Sequence, residues 1–473
     1  MMGKNGALIA HLGGGSLFVQ ANKQGIPVDK YKMLIKPLIL GNDPSKNSSK
    51  KSFGAVLITV IISVSGFSQK NKPDTLPPPY ATKSVMNFSN AIGWKNGRTP
   101  QAPEGFAVTK YADKFENPRW MYVTPNGDVL VAESNGKHTL LEKIGGRFIG
   151  ASKSNNLGKS ANRIALLRDT NHDGIPDLRT VFLTQLNQPF GMLVIGKWLY
   201  VANIDAVLRF PYQAGQTKIT EKGEKIMDLP IGDHPRHWTR NLLANADNTK
   251  IYVAIGSNTN VAEGGIQQEA KRANILEINP DGSGERVYAS GLRNPVGMGW
   301  APGTKTLWTA VNERDNLGDD LVPDYLTSVK EGGFYGWPYS YFGQHEDPQV
   351  AEKRPDLVAK AIVPDVALGA HTASLGLAFY TKASFPKKYH NGAFIAQHGS
   401  WNRSLLLGYR VIFVPFENGK PTGKPEDFLT GFIANAHKKV YGRPVGVVEL
   451  PDGSLLVTDD VCNTIWRVAV AKK

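Results

Sequence analysis

Cysteine is all but missing. Cys462 is the one cysteine in 473 residues, so the chain holds no internal disulfide, no CxxCH haem attachment and no paired-cysteine metal site. Alone, such a thiol reads as a small packed side chain rather than a nucleophile. A GxSxG elbow, a Walker loop, an HExxH pair and a GxGxxG turn are absent from any credible context, which removes the common hydrolase, nucleotide, zinc-protease and dinucleotide signatures. The run Gly13-Gly14-Gly15 has no Lys-Ser/Thr behind it to complete a phosphate loop. Helical periodicity is scarce, and only LVPDYLTSVK (321–330) suits a short helix. Acidic residues are outnumbered, giving a net charge of +14. Residues 1–68 carry +6 of this, and the +8 on the rest forms no dense Lys/Arg tract. That argues against a nucleic-acid partner and leaves a basic surface suited to an anionic cofactor or partner.

Residues 50–69 read KKSFGAVLITVIISVSGFSQ. Two lysines, an apolar stretch from Phe53 to Phe67 and small residues around Ser68 form an export-signal pattern. The apolar run is short for a membrane span, which needs about 20 residues. We therefore expect residues 1–68 to be an N-terminal extension with a cleavable signal. An uncleaved anchor is the alternative. Either way the body faces a periplasmic or secreted compartment, with no stable membrane span in the mature form. Residues 69–103 are polar and Pro-rich (Pro77-Pro78-Pro79) and read as a loose wrap or linker.

What is present in quantity is glycine (49), proline (30) and a recurring pattern. Gln188-Pro189-Phe190-Gly191-Met192, Arg293-Asn294-Pro295-Val296-Gly297-Met298 and Arg443-Pro444-Val445-Gly446-Val447 share it, and Asn117-Pro118-Arg119-Trp120-Met121 is a fourth copy. Each leads into a strand-like run: KWLYVAN (197–203), KTLWTAV (305–311), GSLLVTDD (453–460) and GDVLVAES (127–134). Asn126-Gly127, Asp281-Gly282 and Asp452-Gly453 supply tight turns. Six units follow: 104–168, 178–230, 237–291, 292–343, 371–431 and 443–470. Repeats of roughly 40–60 residues with four short strands each predict an all-β fold, a six-bladed β-propeller of four-stranded antiparallel blades over 104–470. The Pro-x-Gly strand starts then face a central channel, where polar side chains line a ligand cavity.

Arg293, Asn294 and Arg443 stand at those strand starts. They either fork onto a planar carboxylate and a carbonyl or brace neighbouring blades. Two arginines aimed into one channel repel unless an anion lies between them. His234 and His237 precede the third unit, and His371 and His398 lie in the fifth; each is either a general base or a structural hydrogen-bonder. Asp169, Asn171, Asp173 and Asp177 form a DxNxDGxxD loop suited to calcium or to an Asx-rich turn. Asn312–Asp320 is a second calcium-compatible run.

GLRNPVG, NERDNLGDDLVPDY, GGFYGWPYSYFG, HTASLGLAFY, QHGSWNRS and GRPVGVVELPDGSLLVTDD together resemble the PQQ-dependent sugar dehydrogenases, and the L-sorbosone dehydrogenase-like branch most. The likeness covers about residues 104–470. It implies a six-bladed propeller holding pyrroloquinoline quinone (PQQ) and calcium. It implies His237 as general base, with His234 in reserve. Cofactor contacts fall to Arg293, Asn294, Arg314, Arg443 and Asp459, and to Arg403 where the family carries a lysine. Calcium contacts fall to Asp315 and Asn316, in a turn that is Gln-Gly-Pro in soluble glucose dehydrogenases. Arg236 replaces their acidic residue beside the base. The reaction implied is oxidation of a sugar or sugar-derived aldehyde, with electrons leaving to an external acceptor. A calcium-dependent propeller lactonase and a non-catalytic carbohydrate-binding propeller are the alternatives. If the export reading holds, N-terminal sequencing of protein recovered from the exported fraction will start at Gln69; a chain that retains the 53–67 segment overturns it.

Overall fold

The computed structural model describes residues 8–12, 15–19, 76–137, 151–154, 158–232 and 237–471. The apolar export segment, His234 and Arg236 lie outside these residues. Two units separate, residues 1–69 and 70–473. The first contributes one antiparallel hairpin, Leu8–Leu12 with Gly15–Val19.

The second unit is all-β, built from antiparallel four-stranded sheets. Sheet 1 contains Pro118–Val123, Val129–Glu133, Arg163–Arg168 and Leu178–Leu183. Sheet 2 contains Met192–Ile195, Trp198–Ala202, Ala206–Pro211 and Glu224–Asp228. Sheet 3 contains Arg240–Ala244, Ile251–Ile255, Asn274–Ile278 and Arg286–Ser290, with Gly333–Phe334 added in parallel. Sheet 4 contains Pro295–Trp300, Leu307–Val311, Pro323–Val329 and Val366–Ala370. Sheet 5 contains Ser374–Phe379, Ala393–Gln397, Arg410–Val414 and Glu426–Leu429. Sheet 6 contains Pro444–Glu449, Leu455–Asp459, Thr464–Val470 and, from the other end of the unit, Phe106–Ala112.

Burial falls outward within a sheet. Second strands such as Ile251–Ile255 and Leu455–Asp459 are buried throughout. Fourth strands such as Glu224–Asp228 are largely exposed. The first strands of successive sheets lie against one another, and that of sheet 6 lies against that of sheet 1.

The recurring glycine makes this contact possible. A Cβ at Gly191 would stand 2.5 Å from Leu242 N, at Gly297 2.6 Å from Leu375 O, and at Gly376 2.4 Å from Val445 O. These neighbours are backbone atoms that cannot swing aside. Asn241 takes the equivalent place in sheet 3, and its side-chain amide donates to Val296 O at 2.7 Å. Trp120 takes it in sheet 1 and packs on Phe190, with ring centroids 4.8 Å apart.

Three expectations change. Residues 321–330 are not helical: Pro323–Val329 is the third strand of sheet 4, paired on both sides. All but one of its residues are buried, and ladder pairing outweighs a weak local pattern. Phe106–Ala112 leaves the first repeat, 104–168, to pair with Thr464–Val470. Residues 76–103 are anchored rather than loose. Asn90–Ala91 pairs with Lys439–Val440, the Asn87 amide donates to Ser404 O and His437 O, and Trp94 packs on Phe432, Tyr441 and Trp466.

Gly376→Ala is expected to lower the unfolding free energy by about 1–3 kcal/mol through overpacking, read from the denaturant midpoint. An unchanged midpoint would show that the first strands can separate.

Candidate functional site

Loops that precede first strands, and loops that follow second strands, converge on one cavity of about 280 Å³. Arg119 comes from the first strand of sheet 1, and His237 and Trp238 stand just before that of sheet 3. Arg293 and Asn294 precede the first strand of sheet 4, with Asp315 and Asn316 after its second. His371, His398 and Trp401 come from the margins of sheet 5, and Arg443 precedes sheet 6. Of the sequence candidates, His237, Arg293, Asn294, Asp315, Asn316 and Arg443 thus line one cavity.

The wall is rich in buried guanidinium. Arg293 donates to Glu313 O at 2.7 Å, to Asn312 O, to Asn260 O and to Asn260 Oδ1. Arg443 donates to His398 O at 3.0 Å and Gly399 O at 3.2 Å. Arg119 pairs with Asp460 and lies 5.4 Å from the Trp238 ring centroid. Carbonyl partners satisfy donors without cancelling charge. The carboxylate nearest Arg293 is Asp315, at 3.7 Å.

His237 has a defined tautomer. Its Nδ1 lies 2.9 Å from Ser257 O and 3.0 Å from Ser257 Oγ. That hydroxyl spends its own proton on Thr259 O at 2.7 Å. Nδ1 faces two acceptors and so carries the ring proton, which leaves the lone pair on Nε2. Burial, then the Arg293 charge, hold the His237 pKa well below the ordinary histidine value, against the Ser257 carbonyl. The ring is neutral at pH 7.

His371 is the opposite case. Asp315 Oδ1 is 3.1 Å from its Nδ1 and Gly318 O is 2.8 Å from its Nε2. Only the imidazolium offers a proton to both. Burial opposes the charge, but the Asp315 carboxylate outweighs it and raises the His371 pKa. Burial likewise works against Asp315, yet His371 and then Arg293 hold its carboxyl below the usual range.

Several sequence candidates stand elsewhere. Arg314 turns away to Asp347 at 2.9 Å and to Gln349 Oε1. Arg403 is committed to Asp319 O and Asp320. Asp459 supports the wall from behind, accepting from the Arg443 N–H at 2.9 Å and from Trp94 Nε1 at 2.7 Å. Burial pushes its pKa up to about 7. Asp169, Asn171, Asp173 and Asp177 lie on the turn between the last two strands of sheet 1, beside a separate cleft. Their oxygens turn to the loop itself: Asp169 accepts Gly174 N–H, Asn171 accepts Asp173 N–H, Asp173 accepts Ile175 N–H and Asp177 accepts the Thr170 hydroxyl.

Calcium does not fit the donors at Asp315 and Asn316. It asks for six to eight oxygens. The Asp315 carboxylate instead faces two cations, Arg293 and His371. The Asp315 carbonyl accepts from Arg314 at 2.7 Å and Asn260 at 3.2 Å, and that of Asn316 accepts from Gln349. Among the described residues no group of three or more His, Cys, Asp or Glu is placed to hold a metal ion.

The sequence profile of the TrAA12-like family matches residues 100–325 and 344–471. The chain belongs to the TrAA12-like family. This TrAA12-like chain is 32% identical over 297 residues to an uncharacterized protein of Borreliella burgdorferi, covering 61% of this chain and 77% of that one. It is 25% identical over 236 residues to the aldose sugar dehydrogenase YliI of Escherichia coli K12, covering 46% and 56%. Its fold matches the holo form of the pyranose dehydrogenase PQQ domain from Coprinopsis cinerea with a TM-score of 0.64 and 19% identity, covering 81% of this chain and 100% of that domain. The TrAA12-like chain is therefore related to PQQ-dependent sugar dehydrogenases.

PQQ fits the wall where calcium does not. A flat polycarboxylate is matched by Arg119, Arg293 and Arg443, and two buried polar atoms at the wall, Asn294 Oδ1 and Arg119 Nε, have no protein partner. Sequence reading singled out neither Arg119 nor Trp238 nor Trp401. Arg119 was visible inside the fourth repeat copy, one place beyond its proline. Trp401 lay inside the QHGSWNRS motif and Trp238 beside His237, but only the fold puts their rings at the cavity.

Charged His371 contributes stability that is fully present below pH 6.5 and is lost as pH rises through its raised native pKa. Depressed Asp315 contributes above its ordinary 3.8, lost as pH falls through its native value. His371→Gln is expected to cost about 3–5 kcal/mol at pH 6, with the gap to wild type narrowing at pH 9 in urea unfolding. A gap that does not change with pH would show His371 to be neutral.

Proposed function

We propose that the chain is an exported quinoprotein dehydrogenase. It oxidises a sugar or sugar-derived aldehyde with bound PQQ in the cavity of a six-bladed propeller, and passes electrons to an external acceptor. The observation that carries this reading is the convergence of His237, Arg293, Asn294 and Arg443 on one cavity. The blade count is supported by six sheets of four or more strands whose first strands touch in succession. Among the described residues no helix is long and apolar enough to cross a membrane.

Bound PQQ would supply the two-electron acceptor for hydride. The chain's residues supply placement and proton handling. Arg119, Arg293 and Arg443 would grip its carboxylates and balance the charge of reduction. Asn294 would meet it with a buried amide. Trp238 and Trp401 offer flat apolar faces at the wall, suited to a sugar ring. His237 Nε2 would take the hydroxyl proton of the substrate as general base. The Ser257 carbonyl and hydroxyl hold the ring in that tautomer, and burial beside Arg293 keeps Nε2 unprotonated until substrate is bound. The lactonase alternative needs metal-bound carboxylates, and none assemble among the described residues.

Purified protein reconstituted with PQQ, with and without calcium, is expected to retain quinone absorbance after desalting and to reduce an electron-accepting dye with an aldose or sorbosone. His237→Gln should lower kcat by about 10²–10⁴ while keeping the bound absorbance. Because the His237 pKa is depressed, the acid limb of kcat/KM should lie below pH 6.5. No retained quinone, with no turnover across a broad sugar panel, would reject the proposal.

A further inference from the structure

The cavity wall holds a second imidazole as firmly oriented as His237. His398 follows the strand Ala393–Gln397 and is buried. Its Nε2 stands 3.0 and 3.1 Å from the two Asp460 oxygens. Asp460 is itself buried and paired with Arg119. Burial works against its charge, but His398 and Arg119 hold the carboxyl below the usual range. An ionised carboxylate only accepts hydrogen bonds, so the ring proton of neutral His398 sits on Nε2. Nδ1 keeps the lone pair and is the ring nitrogen left for the cavity. Burial, then the Arg443 charge, push the His398 pKa down to about 4, and the ring is uncharged at pH 7.

His237 reaches a matching state with its nitrogens exchanged: proton on Nδ1, lone pair on Nε2. The guanidinium groups of the wall only donate. Both rings therefore set an acceptor nitrogen beside the guanidinium donors of Arg119, Arg293 and Arg443.

We propose that Asp460 fixes His398 as an acceptor-only group, and that His398 Nδ1 takes a hydrogen bond from an N–H or O–H of the bound ligand. This rests on the quinoprotein reading for the class of ligand and adds a specificity-determining residue to it. A matching ligand is anionic toward the arginines and carries a donor toward His398. The pyrrole N–H of PQQ meets that demand, as does a sugar hydroxyl; a planar anion with acceptors alone does not.

Asp460→Asn tests the assignment, because a carboxamide can donate to Nε2 and drive the ring to the Nδ1–H tautomer with little change of shape. Tautomers are read by NMR of apo protein labelled with ¹⁵N-histidine, and PQQ affinity by fluorescence quenching. Wild-type His398, identified by its loss in His398→Gln, is expected to be Nε2–H, and in Asp460→Asn to be Nδ1–H. PQQ affinity should fall at least tenfold in Asp460→Asn and in His398→Leu, and less in His398→Gln, which retains an acceptor oxygen. Arg119→Gln combined with Asp460→Asn removes the stranded guanidinium and should leave the tautomer inverted. An Nδ1–H ring in the wild type overturns the proposal. So does an inverted ring with unchanged PQQ affinity, or equal affinities in His398→Leu and His398→Gln. If the wild-type protein binds no PQQ, the quinone reading fails, and the His398 assignment is decided by the apo tautomer.

Discussion

The distance between neighbouring first strands governs this molecule. At Gly191, Gly297 and Gly376 the backbone of the next sheet stands where a methyl group would go, and close-packed backbone does not yield. That spacing sets the bore around which the strands gather, and with it the reach of every side chain on the adjoining loops. The site depends on it directly. Arg293, Asn294, His371 and Arg443 lie within three residues of a first strand, so a shift between sheets would carry them apart together.

Charge is the second constraint. Concentrating guanidinium groups in a buried wall is unfavourable unless each finds partners. Much of that partnership is neutral: backbone carbonyls of residues 260, 312 and 313 for Arg293, and of residues 398 and 399 for Arg443. Carbonyls hold direction without extinguishing the field. The carboxylate 3.7 Å from Arg293, that of Asp315, is shared with the charged His371. Guanidinium groups held by carbonyls keep positive charge on the wall beside the carboxylates of Glu263 and Asp315, a pattern that can hold a small polyanion by its shape as well as its charge.

Much of this was legible in the sequence because repetition is a local signal. Pro-x-Gly before an apolar run marks strand starts at Gly191, Gly297 and Gly446, and with them Arg293 and Arg443. What was not legible depends on pairing at long range. Pro323–Val329 looks weakly helical and becomes a strand only when both neighbours are present. Phe106–Ala112 pairs with a strand more than 350 residues away. Asp460 and His398 belong to different sheets, and neither residue announces the other. The calcium reading of Asp315 rested on the family resemblance of its turn; only the fold shows that its carboxylate already faces His371 and Arg293.

Sheet 6 draws its strands from both ends of the β unit. During synthesis Phe106–Ala112 emerges early and waits, unpaired, until Thr464–Val470 has been made. The pairing of Asn90–Ala91 with Lys439–Val440 already ties the two ends together, and sheet 6 is completed only when the strand after it is added. A polypeptide with this wiring leaves one outer strand without its partner until the end of synthesis.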